Sequence, residues 1–174
     1  MTVQSVLSDP SMAGTWSLAP DRSSVRFTNK TLWGLVNVNG EFEDVVGSGR
    51  FGPDGVTGRL TIGAASIRTG IGKRDEHLCG SDFFDTDNFP EIIIDVAGAT
   101  PTGDHTVGLA ATMNVRGTTL PLPIEATVTR LGNDTVHIVG RAIIDRTRWG
   151  VSGNMFGMMP NTATLVADTT FTRG

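Results

Sequence analysis

The strongest constraint on the fold is an alternation of apolar and polar residues with a period of two. In Val25-Arg26-Phe27-Thr28, and again in Arg59-Leu60-Thr61-Ile62, every second residue is apolar. Successive side chains of a β-strand point to opposite faces, so this period predicts strands with one buried face. The same pattern continues through residues 107–115, 120–128, 136–144 and 165–171.

Turn sequences separate these alternating runs. Glycine, proline, asparagine and aspartate cluster at residues 52–55, 101–104 and 131–134, and Arg116-Gly117 has the position of a tight hairpin. The chain contains 22 glycines and only 18% charged residues, which is typical of tightly turned β proteins. The sequence therefore predicts an all-β antiparallel barrel of about eight strands, a size that holds one small ligand.

Pro121 and Pro123 interrupt one of the predicted strands. Proline has no N–H to donate to a ladder, so this strand is expected at an edge or a bulge. We expect the proline nitrogens to face away from a hydrogen-bonded neighbour, as they would at a seam in the barrel.

The domain organisation is simple. With 174 residues the chain is long enough for one domain with a core or a cavity. Residues 1–13 are mostly small or polar and include Pro10, and we expect a flexible N-terminal tail there. The barrel domain is predicted over residues 14–174.

Residues 66–90 break the β pattern. Residues 74–79 contain few β-branched side chains and are followed by Gly80, which predicts a helix of one or two turns. Long insertions in compact domains are usually functional, so we expect a lid or an entrance here.

Charge and cysteine content exclude several classes of function. The net charge is −4 and there is no basic block, so a nucleic acid is not an expected partner. Cys79 is the only cysteine, which rules out an internal disulfide and favours the cytoplasm. Neither a leader pattern nor a long apolar run is present, so secretion and stable membrane insertion are not expected.

Few residues suggest catalysis or metal binding. His77, His105 and His137 are far apart in the sequence, and neither a metal nor another cofactor is expected. Cys79 follows His77 by two residues, but a lone cysteine among apolar neighbours is usually a buried hydrophobic residue. The charged run 74–77 has two open interpretations: a solvated helix face, or side chains that bind a ligand head group.

Large deformable apolar side chains concentrate in the two least regular segments. They are either ordinary core residues or the wall of a ligand site, where the flexible methionine thioether adapts to variable chains. These residues are Phe83, Phe84, Phe89, Met155, Phe156, Met158 and Met159.

Several short motifs, in order along the chain from Trp16, resemble the YceI-like family of bacterial polyisoprenoid-binding proteins. The motifs are Val38-Asn39-Gly40-Glu41-Phe42, Ser66-Ile67-Arg68-Thr69, Arg74-Asp75-Glu76-His77-Leu78, Asp82-Phe83-Phe84-Asp85, Phe89-Pro90-Glu91-Ile92, Val115-Arg116-Gly117-Thr118, Asp145-Arg146 and Trp149-Gly150-Val151.

The resemblance implies a lipocalin-like barrel with a helical insertion, a lumen that holds a long isoprenoid or similar amphiphile, and frequent homodimers. Two features depart from the family. Many members are periplasmic, whereas this sequence resembles cytoplasmic relatives. The family often has an Asp-Pro-x-His-Ser motif and a later His-Leu pair, where this chain has residues 19–23 and Thr31-Leu32.

Together with the residue patterns, the resemblance implies a protein without catalytic residues that sequesters or carries a polyisoprenoid or isoprenoid quinone. The predicted lumen residues are Phe27, Leu60, Ile62, Phe83, Phe84, Leu109, Met113, Ile138, Phe156 and Met158. The predicted head-group residues are Arg74, Asp75, His77 and Arg146. One alternative is an enzyme with His77 as general base, oriented by Asp75 or an arginine. A second alternative is a filled barrel that acts only as an interaction module.

Overall fold

A computed structural model describes residues 2–31, 36–153 and 161–173. The strands within these residues are β1 (Gly14–Leu18), β2 (Ser24–Thr31), β3 (Val36–Phe42), β4 (Val45–Gly52), β5 (Gly55–Gly63), β6 (Ile67–Arg68), β7 (Glu91–Pro101), β8 (Thr106–Val115), β9 (Thr118–Pro121), β10 (Ile124–Arg130), β11 (Thr135–Asp145) and β12 (Thr162–Arg173). The α-helices are α1 (Val3–Leu7) and α2 (Gly72–Leu78).

The strands form one closed antiparallel sheet. β1 and β2 lie end to end along β12, and on their other side β4 pairs with β1 and β3 pairs with β2. β9 and β10 lie end to end along β8, and the short β6 extends the line of β5 beside β3. The ring then continues through β5, β7, β8, β10, β11 and β12 and closes on β1. The predicted eight-stranded all-β barrel is confirmed.

Alternation along the strands sets what faces the interior. In β2, Val25 and Phe27 are buried while Arg26 is exposed, and in β5 Ile62 is buried while Arg59 is exposed. The inward residues form one apolar cluster through the barrel. The alternation of inward and outward side chains predicted from the period of two is therefore confirmed.

Arg116 and Gly117 make the tight hairpin between β8 and β9. Their φ angles are 52° and 75°, and Val115 pairs with Thr118 across the turn. Two successive residues with positive φ are characteristic of a type I′ turn, whose twist matches that of the strands. The predicted hairpin is confirmed.

Pro121 and Pro123 lie on either side of a residue that still pairs with β8. The Leu122 backbone N–H donates to the Ala111 carbonyl oxygen at 2.8 Å. Backbone groups of neighbouring residues in a strand point to opposite sides, so both proline nitrogens face away from β8. The sequence prediction for these two residues is confirmed, and β9 and β10 are one strand in a continuous register along β8.

The N-terminal residues differ from the flexible tail that the sequence analysis expected. Residues 3–7 form helix α1, capped by Thr2, and Val3, Val6 and Met12 are at most 4% exposed. The Val3 N–H donates to the Asp104 carbonyl oxygen in the β7–β8 turn. Residues 2–13 therefore pack across one end of the barrel. The expectation missed them because two apolar residues three positions apart give too weak a helical period.

Candidate ligand-binding cavity

The barrel encloses a cavity with a volume of about 250 Å³. Apolar side chains from strands all around the ring form nearly all of its wall. Val6 and Met12 border it at the end covered by residues 2–13, and Leu78, Phe83 and Trp149 border it at the other end. Such a space accommodates an apolar molecule and offers little to a polar one.

Eight of the ten predicted lumen residues line this cavity. They are Phe27, Leu60, Ile62, Phe83, Phe84, Leu109, Met113 and Ile138. Phe156 and Met158 lie outside the described residues. The contact of these side chains with a ligand stays a prediction.

A glycine positions Phe27 within the wall. Phe27 pairs across β2 and β3 with Gly40, and a Cβ built on Gly40 would lie 2.2 Å from the Phe27 ring. The ring occupies the space that any other residue at position 40 would fill. It contacts Phe42 at 6.2 Å between ring centroids, and Phe42 meets Phe84 edge-on at 5.7 Å.

Phe83 closes the end of the cavity near α2. Its side chain is fully buried, and a Cβ on Gly153 would lie only 2.5 Å from the ring. Arg116 Nη1 donates to the carbonyl oxygens of Phe83 at 3.0 Å and Gly150 at 2.7 Å. Arg116 of the β8–β9 hairpin thus links the segments around Phe83 and Gly150 at this end of the cavity. The residue pattern predicts Arg116 only as a turn residue, because its contacts with Phe83 and Gly150 depend on tertiary structure.

The predicted helix in the 66–90 segment is confirmed as α2, and its charged residues mainly stabilise its own start. Asp75 Oδ1 accepts hydrogen bonds from the Thr69 backbone N–H at 2.8 Å and from its hydroxyl at 2.5 Å. Arg74 donates to the Thr69 hydroxyl and carbonyl oxygens, each at 2.9 Å. His77 is exposed, with its ring 5.3 Å from that of Phe83. None of these three predicted head-group residues belongs to the described cavity wall.

Arg146, the fourth predicted head-group residue, does line the cavity and is 5% exposed. Its Nη1 donates to the Val151 carbonyl oxygen at 2.5 Å, and its guanidinium lies 5.7 Å from the Phe83 ring centroid. Desolvation lowers the pKa of Arg146, and the charge of Asp145 opposes that shift. An arginine stays protonated at neutral pH, so the wall carries a buried positive charge here.

Asn29 is a second buried polar residue in the wall, and sequence reasoning missed it. It is 1% exposed and its Nδ2 donates to the Thr162 carbonyl oxygen at 3.0 Å. The Arg146 backbone N–H donates to the adjacent carbonyl oxygen, that of Asn161. Asn29 and Arg146 therefore lie at the same end of the cavity. The inward position of Asn29 follows from the alternation that also places Val25 and Phe27 inward.

The geometry that the enzyme alternative needs is not found among the described residues. His77 does not line the cavity, and the Asp75 carboxylate is hydrogen-bonded to Thr69. No group of three or more potential metal ligands of the His, Cys, Asp or Glu type occurs in the described ranges. None of the helices described is long and apolar enough to cross a bilayer.

The closed antiparallel barrel and its apolar cavity define a protein of the hydrophobic-ligand-binding class. The sequence matches the YceI-like domain over residues 16–171, and the chain belongs to this family. A UPF0312 protein of Pseudomonas syringae pv. tomato is 26% identical over 142 residues, which cover 77% of this chain and 72% of the relative. A UPF0312 protein of Pseudomonas savastanoi pv. phaseolicola is 28% identical over 100 residues, which cover 56% of this chain and 52% of that protein.

Solved structures share the fold. BcnA of Burkholderia cenocepacia superposes with a TM-score of 0.79 at 18% identity, covering 88% of this chain and 98% of BcnA. A polyisoprenoid binding domain from Saccharophagus degradans, implicated in plant cell wall breakdown, superposes with a TM-score of 0.76 at 17% identity. That match covers 91% of this chain and 98% of the domain.

Proposed function

We propose that the protein binds a long amphiphilic lipid, a polyisoprenoid or an isoprenoid quinone, and sequesters or carries it in the barrel cavity. The observation that carries the proposal is the cavity itself, about 250 Å³ in volume with an almost wholly apolar wall. The Saccharophagus degradans neighbour, described as a polyisoprenoid binding domain, supports this class of ligand.

The affinity would come mainly from the tail of the lipid. Each CH₂-sized group that leaves water for an apolar cavity contributes about 0.8 kcal/mol. A few isoprenoid units therefore offset the cost of association before any polar contact forms. Binding by this mechanism needs no catalytic residue.

The polar end of the lipid is proposed to lie beside Arg146 and Asn29, the buried polar residues at one end of the cavity. A guanidinium binds oxygen acceptors such as phosphate or carbonyl groups more strongly than apolar groups. Arg74, Asp75 and His77 lie outside the wall, and we propose that they contact only a head group that extends beyond the cavity.

Mass spectrometry of an organic extract of the purified protein tests the ligand class. We expect an isoprenoid lipid, and titration of the lipid-free protein with geranylgeraniol should show saturable binding. An extract without lipid, together with no binding of geranylgeraniol, would overturn the proposal.

Two variants test the head-group assignment. Arg146→Met should weaken binding of geranylgeranyl phosphate by about tenfold, the effect of losing one hydrogen bond to a charged group, and weaken binding of geranylgeraniol less. His77→Ala should leave both affinities nearly unchanged. The reverse order of effects would move the head group to α2. Circular dichroism of both variants verifies that they fold.

Two further properties belong to this proposal. We place the protein in the cytoplasm because Cys79, its only cysteine, forms no internal disulfide. A homodimer is implied by the family resemblance, and sedimentation velocity would measure it.

A further inference from the structure

The ladder between β10 and β11 ends before β11 does. Among the described residues, its last pair is Glu125 with Arg141, although β11 continues to Asp145 along β12. Continued in the same register, the ladder would place Pro123 opposite Ile143 and Pro121 opposite Asp145. We call this place the seam, with residues 121–123 on one side and 142–145 on the other.

Two missing donors explain the seam. The N–H of Leu122 points to β8, so the backbone of residues 121 and 123 points toward β11. Both residues are prolines, and neither can donate a hydrogen bond to that strand. The two prolines thus remove two successive hydrogen-bond donors from the side of the strand that faces β11, while the side that faces β8 stays paired.

The middle of the seam, where Pro123 lies opposite Ile143, is apolar on both faces of the wall. On its inner side, Leu122, Ala142 and Ile144 line the cavity. On its outer side, Ile143 is 68% exposed, and Pro121 and Pro123 are exposed too. The charged residue of the seam, Asp145, lies at its end, where its carboxylate accepts hydrogen bonds from Thr147. A lipid tail that crosses beside Pro123 and Ile143 therefore meets apolar side chains.

Another gap in the ring lacks these properties. β5 and β7 stop pairing after Gly58 and Val96, next to a bulge in β7. On the outer face beside this gap, Arg59 and Asp95 form a bidentate ion pair with N–O distances of 2.6 and 3.0 Å. A charged pair therefore borders this gap on its outer face, whereas Pro123 and Ile143, which lie opposite each other at the seam, are apolar.

We propose that the seam is the opening through which the lipid enters and leaves the cavity, an inference that rests on the proposed function above. Separating two paired strands breaks backbone hydrogen bonds and leaves them unsatisfied, which is costly in an apolar wall. Among the described residues the β10–β11 ladder has no pair across the seam, so separating the seam breaks fewer such bonds. The barrel end at α1 offers no easier route, since residues 2–13 are hydrogen-bonded and ion-paired across it.

A disulfide across the seam tests this route. The variant is Pro123→Cys with Ile143→Cys in a Cys79→Ser background, and the assay follows the transfer of bound N-phenyl-1-naphthylamine to excess phosphatidylcholine vesicles. Oxidation of the two cysteines should slow this transfer at least about tenfold, the effect of raising the barrier by the equivalent of one or two hydrogen bonds. Reduction should restore the rate. The matched control is Glu125→Cys with Arg141→Cys, a pair already joined by the ladder, whose oxidation should change the rate little.

A second variant keeps the test decisive if the disulfide does not form. Pro121→Thr with Pro123→Thr restores both donors, and it should slow dye transfer and protect the amides of residues 121 and 123 from hydrogen exchange. An unchanged transfer rate in every seam variant that folds would overturn the proposal. The proposal would also be overturned if dye transfer were slowed only by a disulfide at the other gap, between Thr57→Cys and Ala97→Cys. The proposed function is tested separately, by the amount of dye bound at equilibrium and by the lipid in the extract. Seam variants should change the rate of dye transfer and not the amount of dye bound.

Discussion

Single polar side chains hold the N-terminal residues on the barrel. Arg130 Nη1 donates to Asp9 Oδ2 at 2.7 Å, and the Ser11 N–H donates to Asp9 Oδ1 at 2.8 Å. Arg173 donates to the Ser11 carbonyl oxygen, and its guanidinium lies over the Trp16 ring. These contacts link residues 9–16 to β10 and β12, so the protonation of Asp9 affects the whole segment.

We expect Asp9 to contribute to acid sensitivity. Hydrogen bonds from Ser11, then that from Arg130, lower the pKa of Asp9 below 3.8, its value in an unfolded chain. A lowered folded pKa means that the stabilisation is present above pH 3.8 and is lost as the pH falls below it. Asp9→Asn should therefore lower the Tm near neutral pH and reduce its further decrease in acid. Thermal melts from pH 7 to about pH 2 measure this, with Asp54→Asn in the exposed β4–β5 turn as control.

The contact between Gly40 and Phe27 gives a second prediction at this scale. In Gly40→Ala, the new methyl must displace the Phe27 ring, which lies 2.2 Å from the ideal Cβ position. Overpacking of this kind costs about 1–3 kcal/mol of unfolding free energy. Gly52→Ala is the matched control, because a Cβ there meets nothing within 4 Å. Urea denaturation compares the two, and equal losses of stability would contradict this account of Phe27.

At the scale of elements, periodicity predicts the strands well and the closing segments poorly. The runs that became β2, β5, β8, β11 and β12 alternate over enough residues to identify their inward faces, and Gly80 marks the end of α2. Helix α1 has only five residues, and its burial depends on Asp104 and β10, which are distant in sequence. The contacts of Arg116 with Phe83 and Gly150 likewise join residues more than thirty positions apart. Sequence patterns report local repeats, so they identify the cavity wall but not its ends.

The N-terminal segment gives a prediction at this scale. Met12 is 2% exposed and packs against Val6, Trp16 and Val136. Met12→Ala should lower the free energy of unfolding by about 2–5 kcal/mol, as for other large buried residues replaced by alanine. Gln4→Ala, on the exposed side of α1, should change it little. Chemical denaturation measures both, and a neutral Met12→Ala would mean that the segment is detached in solution.

Closure of the sheet into a barrel creates an interior whose free space depends on the size of the inward side chains. In a barrel of eight strands, the inward side chains either just fill the lumen or leave room for one small ligand. Small inward residues such as Gly49, Gly58 and Ala142 lie among the larger ones and leave the space that the cavity occupies. Whether this space serves binding or is an ordinary packing defect is decided by filling it.

Met113→Trp fills it from β8. Met113 is 3% exposed and faces the cavity, so the larger ring should occupy part of the lumen, shorten the longest prenyl alcohol that binds, and leave the barrel folded. In a close-packed core the same change would instead cost about 1–3 kcal/mol, because its neighbours would be forced off their rotamers. Ala110→Trp, on the exposed outer face of the same strand, is the matched control. Thermal melts and titrations with prenyl alcohols of increasing length separate the two cases: a large loss of stability without a change in the accepted chain length would show that the interior is a solid core and not a binding site.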